Sequence, residues 1–150
     1  MKYRHGQTGS MVVELALLMT VLLPLAFGIT EYGRALYQYN TIAKGVRDGV
    51  RHLSQYAPGN SDRISEAKCL TVFGNTGCSG AALVDGLVTS MVVIEDSSSN
   101  AATYQLQSSG RGALNLVQVR IKGYQFASLV SGYVPNLNFG FIGATMVQLP

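Results

Sequence analysis

The sequence contains no tryptophan, two histidines, two cysteines and a charged fraction of 13%. Average soluble domains carry roughly 25% charged residues, so polar chemistry is scarce here. Of the histidines, His5 falls in the basic start of the chain and His52 has no obvious carboxylate partner nearby in sequence, and a lone histidine among many serines is not a catalytic triad. No HExxH, no phosphate-binding P-loop and no GxGxxG after a strand occurs. The chain therefore reads as a non-enzyme, with no cofactor and no small-molecule substrate. Cys69 and Cys78 have no neighbouring histidine or second cysteine pair, which excludes a zinc site. The net charge of +3 (11 basic minus 8 acidic residues) includes Lys2 and Arg4 near the start; without them it is 9 minus 8, or +1. No basic patch with interleaved aromatics is present, so nucleic acid is not expected as a partner.

What the sequence does have is one long apolar run. Residues 11–29 contain a single ionisable residue, Glu14. Their length approaches the roughly 20 residues a helix needs to cross a bilayer. The basic residues before the run favour a cytoplasmic N-terminus, with the bulk of the chain outside. Three readings compete: a signal peptide cut after Gly28, following Ala26-Phe27; a permanent one-pass anchor; and a pilin-type signal, in which a leader of residues 1–9 is cut and the helix is kept. Glu14 separates them. A charge at the centre of a membrane helix costs about 2.5–3.5 kcal/mol, less near its edge, and neither a signal peptide nor a plain anchor has a use for it. A cut between Gly9 and Ser10 makes Glu14 the fifth residue of the new chain. It can then pair with the free N-terminal amine of a neighbouring subunit in a low-dielectric core. The plainer reading is an edge glutamate that snorkels to the interface.

The helical pattern does not stop at the membrane. Ile29, Tyr32, Leu36, Tyr39, Ala43, Val46, Val50 and Leu53 recur at spacings of three and four, predicting one apolar seam. The expected helix over 10–55 is roughly 70 Å long at 1.5 Å per residue. Its transmembrane half covers 10–29 and its amphipathic half 30–56. Pro24 is expected to kink or open it. Gly45 and Gly49 lie four apart, spacing that lets a helix approach closely; a neighbouring subunit and the chain's own domain are equal candidates. Glu31 and Arg34 are spaced to pair on the surface just outside the membrane, with Tyr32 and Tyr37 as interfacial aromatics.

The stretch VVELALLMTVLLPLAFGITEYGRALYQYNTIAKGVRDGVR resembles the N-terminal region of TadE-like proteins, minor pilins of tight-adherence (Tad) pili. Glu14, Pro24, Phe27-Gly28, Glu31, Gly33-Arg34 and Gly49-Val50-Arg51 carry the resemblance, which spans about residues 8–55. A weaker likeness continues at Val84-Asp85-Gly86-Leu87 and Gly123-Tyr124-Gln125-Phe126. The Met-Val-Val after Ser10 replaces a more alanine-rich start. The resemblance implies processing by a prepilin peptidase, insertion in the bacterial inner membrane and packing with other pilin subunits. It leaves as alternatives a pseudopilin of a secretion system, a main filament subunit or, from another class, a small secreted binding protein or enzyme.

Residues 57–150 are expected to form a small periplasmic or extracellular domain. Ala57-Pro58-Gly59-Asn60 breaks the helix. Asn60 or Ser61 can cap a second helix over 62–72, ended by Gly74-Asn75-Thr76-Gly77. An exported Cys69 and Cys78 are expected to form a disulfide across that turn; in a reducing compartment they would be free thiols. Strands are expected over 90–94, 103–107, 115–126 and 139–149. Glu95-Asp96 reads as a solvated turn, and the segment 95–100 lacks the alternating ligands of a calcium loop. The expected fold is α+β and pilin-like, a long N-terminal helix packed on a small antiparallel sheet.

Overall fold

The computed structural model describes residues 8–110, 112–132 and 134–149. Most of the expected leader, with Lys2, Arg4 and His5, lies outside the described residues.

Helix α1 (Thr8–Leu53) is 46 residues long and continues through Pro24 without a break. It starts two residues before the expected Ser10. Its first half is apolar all round, and its second half is the spine of the domain. Helix α2 (Ser61–Phe73) follows the Pro58-Gly59 break. The Asn60 side chain caps it by accepting from the amides of Asp62 and Arg63, both at 3.2 Å. Gly74 ends it at φ 73°, a left-handed conformation that costs glycine little, and its amide donates to Leu70 O at 3.0 Å.

Beyond a 3-10 turn at Thr89–Met91 come β1 (Val92–Glu95), the short helix α3 (Ala101–Tyr104), β2 (Gln107–Ser109), β3 (Gly112–Ile121), β4 (Gln125–Phe126), β5 (Leu137–Asn138) and β6 (Ile142–Gln148). Strand β3 is central. Its C-terminal half pairs antiparallel with β1 and with β6, and its N-terminal end pairs with β2. Strands β4 and β5 form a separate two-stranded ladder.

The core follows from alternation along β3. Val117, Val119 and Ile121 point to one face, where Ile42, Val46, Val50 and Leu53 of α1 meet them; Ala67 and Val72 of α2 complete the layer. The disulfide between Cys69 and Cys78 fastens the end of α2 to the segment that follows it. Leu83 then donates to Val72 O at 2.8 Å, bringing Val84 and Leu87 into the core.

The expected α+β arrangement holds, with local corrections. The segment expected as a strand over 103–107 is instead α3 followed by the start of β2. Tyr104 turns inward, 6% exposed, and its hydroxyl lies 3.0 Å from Glu95 Oε2 and 3.1 Å from Gln118 Oε1. Leu106 then takes a left-handed φ of 47°, which no continuous strand accommodates. The single strand expected over 115–126 is divided at Gly123, whose φ of 79° turns the chain away. The run expected over 90–94 opens as the 3-10 turn and becomes a strand at Val92.

Candidate functional site

No group of three or more histidine, cysteine, aspartate or glutamate side chains that could hold a metal occurs among the described residues. The unusual feature is α1 itself. Its first half is largely exposed: Met11, Val12, Leu17, Val21 and Leu25 are all more than half exposed. It is the one helix among the described residues long and apolar enough to cross a membrane. Glu14 lies on this bare half, with no ion pair to any described residue. Gly9 and Ser10 are exposed in the first turn, where backbone donors lack intrahelical partners and unwinding is cheapest.

Burial begins at Glu31. The expected surface pair with Arg34 is instead an internal clamp. Glu31 is 3% exposed, and its carboxylate accepts from Arg34 at 2.9 Å and from the amide of Leu129 at 3.0 Å. Arg34 also donates to Ala127 O at 2.7 Å, and its guanidinium lies 4.6 Å from the centre of the Phe126 ring. The hydrogen bond from Arg34, foremost, with those from Ser128 and Leu129, holds the Glu31 carboxyl below the usual carboxylate value against the opposing effect of burial. Four residues more than ninety positions away, Phe126 to Leu129, thus fasten the helix where it leaves its apolar half.

The seam needs a matching correction. Its lower part packs as expected, with Val46, Val50 and Leu53 buried. Its upper part does not: Ile29, Tyr32 and Leu36 are exposed, while Glu31, Ala35 and Ile42 face the domain. Tyr32, Ala35, Leu36, Tyr39, Leu137 and Phe139 line an apolar groove of about 260 Å³. Gln38 is also tied inward; its Oε1 accepts from the Tyr124 hydroxyl at 2.9 Å.

Gly45 and Gly49 are buried against α2, so the internal alternative is the one realised. A β-carbon at Gly45 would stand 2.5 Å from the Thr71 carbonyl oxygen, and one at Gly49 would strike the Thr71 hydroxyl and approach Ala67 O at 3.2 Å. Gly9, Gly28 and Gly33 have open space instead.

At the far end of α1, His52 Nε2 lies 2.9 Å from Glu66 Oε2, and Glu66 also holds Arg63 at 2.8 Å. His52 therefore has a carboxylate partner, supplied by α2. The bond from Arg63, then that from His52, holds Glu66 below the usual carboxylate value. Asp96, expected as part of a solvated turn, is 3% exposed and fixes the loop between β1 and α3. It accepts from the Gly59 amide at 2.9 Å, the Ser98 amide at 3.0 Å and hydroxyl at 2.6 Å, and the Ser99 amide at 3.0 Å. The run Asp96-Ser97-Ser98-Ser99 carried a signal for this, since aspartate followed by serines builds such side-chain turns.

A long, half-bare helix supporting a small antiparallel sheet is an α+β arrangement. Residues 9–51 match the family model described as TadE-like protein. That segment is nearly coextensive with α1, and it bears out the resemblance to the TadE-like family. No curated protein and no solved structure matches the chain.

Proposed function

We propose that the chain is a minor pilin or pilus-assembly subunit of a Tad-type pilus, acting through its N-terminal helix rather than by catalysis. The observation that carries this reading is the coincidence of two boundaries. The TadE-like match ends at residue 51, within three residues of the end of α1, and α1 itself divides into a largely exposed apolar half and a half that is the domain's spine. A helix built this way has its first half free for lipid and then for other helices.

In this reading the first half, residues 10–29, holds the precursor in the bacterial inner membrane. Lys2 and Arg4 stay on the cytoplasmic side, and the domain sits in the periplasm or outside the cell. A prepilin peptidase removes residues 1–9 by cutting between Gly9 and Ser10. The new amine and Glu14 are then one helical turn apart along the chain. In an assembly, Glu14 of one subunit meets the amine of the next, and each charge removes the cost of burying the other. The exposed stripe through Ile29, Tyr32 and Leu36 supplies apolar surface for those neighbours.

The test is intact mass and N-terminal sequencing of the protein recovered from the membranes of its native host. A chain beginning at Ser10 is expected. One beginning at Ile29 identifies a secreted protein released by signal peptidase, and an intact Met1 identifies a plain anchor; either overturns the assignment.

A further inference from the structure

We propose that the turn carrying Leu129 is a second membrane contact, with the Leu129 side chain entering the headgroup–acyl boundary of the leaflet from which α1 emerges. This rests on the reading of residues 10–29 as membrane-spanning.

The first argument is position. The Leu129 amide donates to Glu31 at 3.0 Å and Arg34 donates to Ala127 O at 2.7 Å. Glu31 lies two residues beyond Ile29, where the apolar run ends, an axial distance of about 3 Å. The turn is therefore held at the level of the bilayer surface. The second is exposure. Leu129 is 79% exposed, the highest value for any large hydrophobic side chain among the described residues, above Leu17 and Ile29 at 66% and 67% on α1 itself. A single exposed leucine needs no explanation in water. One fixed beside the end of a spanning helix continues that helix's apolar surface.

The third argument is the state of the turn's polar groups, because backbone entering lipid must already be paired. The Ser128 amide donates to Asn136 Oδ1 at 3.0 Å, the Leu129 amide to Glu31, and the Val130 amide to Ser128 Oγ at 3.1 Å. The Ala127 carbonyl accepts from Arg34, and the Val130 carbonyl from the Val134 amide at 3.0 Å. The charges beneath are paired with each other, and Glu31 is shielded by the turn. The amides of residues 128–130 can thus leave water already paired. With two contacts instead of one, the bilayer fixes the rotation of the domain about α1 as well as its height.

The absence of tryptophan supplies the test. Full-length Leu129→Trp carries one indole and is inserted in phosphatidylcholine–phosphatidylglycerol vesicles with brominated acyl chains. Val147→Trp is the control. Val147 is half exposed and lies near Leu149, whose amide bonds Ser54 O just past the far end of α1. That places it about 35 Å farther from the membrane at 1.5 Å per residue. Flotation is scored first. The expected result is that both proteins float, that Leu129→Trp emission is blue-shifted and mostly lost on bromination, and that Val147→Trp is unaffected. Ser131→Trp, exposed on the same turn, is expected to give the same loss and replaces Leu129→Trp should that variant not fold. Floating protein whose turn indole is as red and unquenched as the control refutes the lipid contact while leaving the anchor standing. A blue-shifted but unquenched indole refutes it in favour of coverage by a second copy. Protein that does not float removes the anchor and the lipid contact together.

Discussion

The two halves of α1 are one helix in two different environments. From residue 10 to 29 the surface is almost wholly apolar and no side chain is buried; from Glu31 to Leu53 one face is packed, and the exposed remainder runs from Tyr32, Leu36 and Tyr37 to charged residues farther on. The glycines show the contrast most directly. Gly9 and Gly28 have nothing within 4 Å of where a β-carbon would stand, whereas Gly45 and Gly49 sit against Thr71 of α2. Identical residues thus serve different ends according to whether the chain itself supplies the partner. Sites completed within the chain govern folding, and sites left bare are where another molecule can act.

Glu14→Ala is the largest expected break in this comparison. It is expected to abolish pilus formation, scored as sheared pili from the native host, while leaving leader removal and the melting temperature of the domain unchanged. The carboxylate touches nothing the domain needs, and leaving its partner amine unpaired in an apolar core is costly. Normal piliation by the variant would show that Glu14 does not set the packing of subunits.

Gly45→Val reverses the expectation. With the Thr71 carbonyl 2.5 Å from the new β-carbon, α2 must move away, at a cost of about 1–3 kcal/mol for overpacking. The melting temperature should fall by several degrees. Gly33→Ala, in open space, should instead raise helix stability by up to about 1 kcal/mol. Equal melting temperatures for the two variants would mean that α2 does not lie against α1 as described.

How much of this was legible in the sequence follows the same division. The apolar half needed no partner to be recognised, because length and composition alone mark it as able to cross a membrane. The seam from Val46 to Leu53 was readable too, since its partner is an ordinary apolar sheet. Between residues 31 and 38 the apolar periodicity misleads. Two of the groups that face inward there, Glu31 and Gln38, are polar, and what makes their burial favourable is polar and far away in sequence: Leu129, Ala127 and Tyr124. Local spacing cannot reveal a donor supplied 98 residues later. The Gly45–Gly49 spacing announced a close approach without naming what approaches. His52 likewise showed no partner because Glu66 arrives on a different helix. Gly123 did carry the signal that divides the long strand, since a glycine inside a strand weakens it. Tyr104 carried none, its helical turn being fixed by two side chains on other strands.

The smallest expected effect concerns how firmly the packed half is closed, and acid is the probe. Glu31, Glu66 and Asp96 all lie below the usual carboxylate range. For Asp96, burial alone would raise the value, and the hydrogen bonds from Ser98, Gly59 and Ser99 outweigh it. A depressed value means that the folded chain binds its protons later than the unfolded one. The stability these groups supply is therefore fully present above the ordinary carboxylate range, and it is lost as pH falls through that range toward the lower folded values. Asp96→Asn should cost about 1 kcal/mol at neutral pH, because one acceptor becomes a donor facing the loop amides. It should also flatten the acid limb of a plot of stability against pH, so that variant and parent converge in strong acid. Parallel limbs would place the acid sensitivity with Glu31 and Glu66 alone. Because Asp96 bonds Gly59 at the exit from α1, loss of its charge should loosen the loop between β1 and α3 without disturbing residues 10–29. Urea unfolding across the acid range on the domain, and flotation with vesicles on the helix, measure the two halves separately.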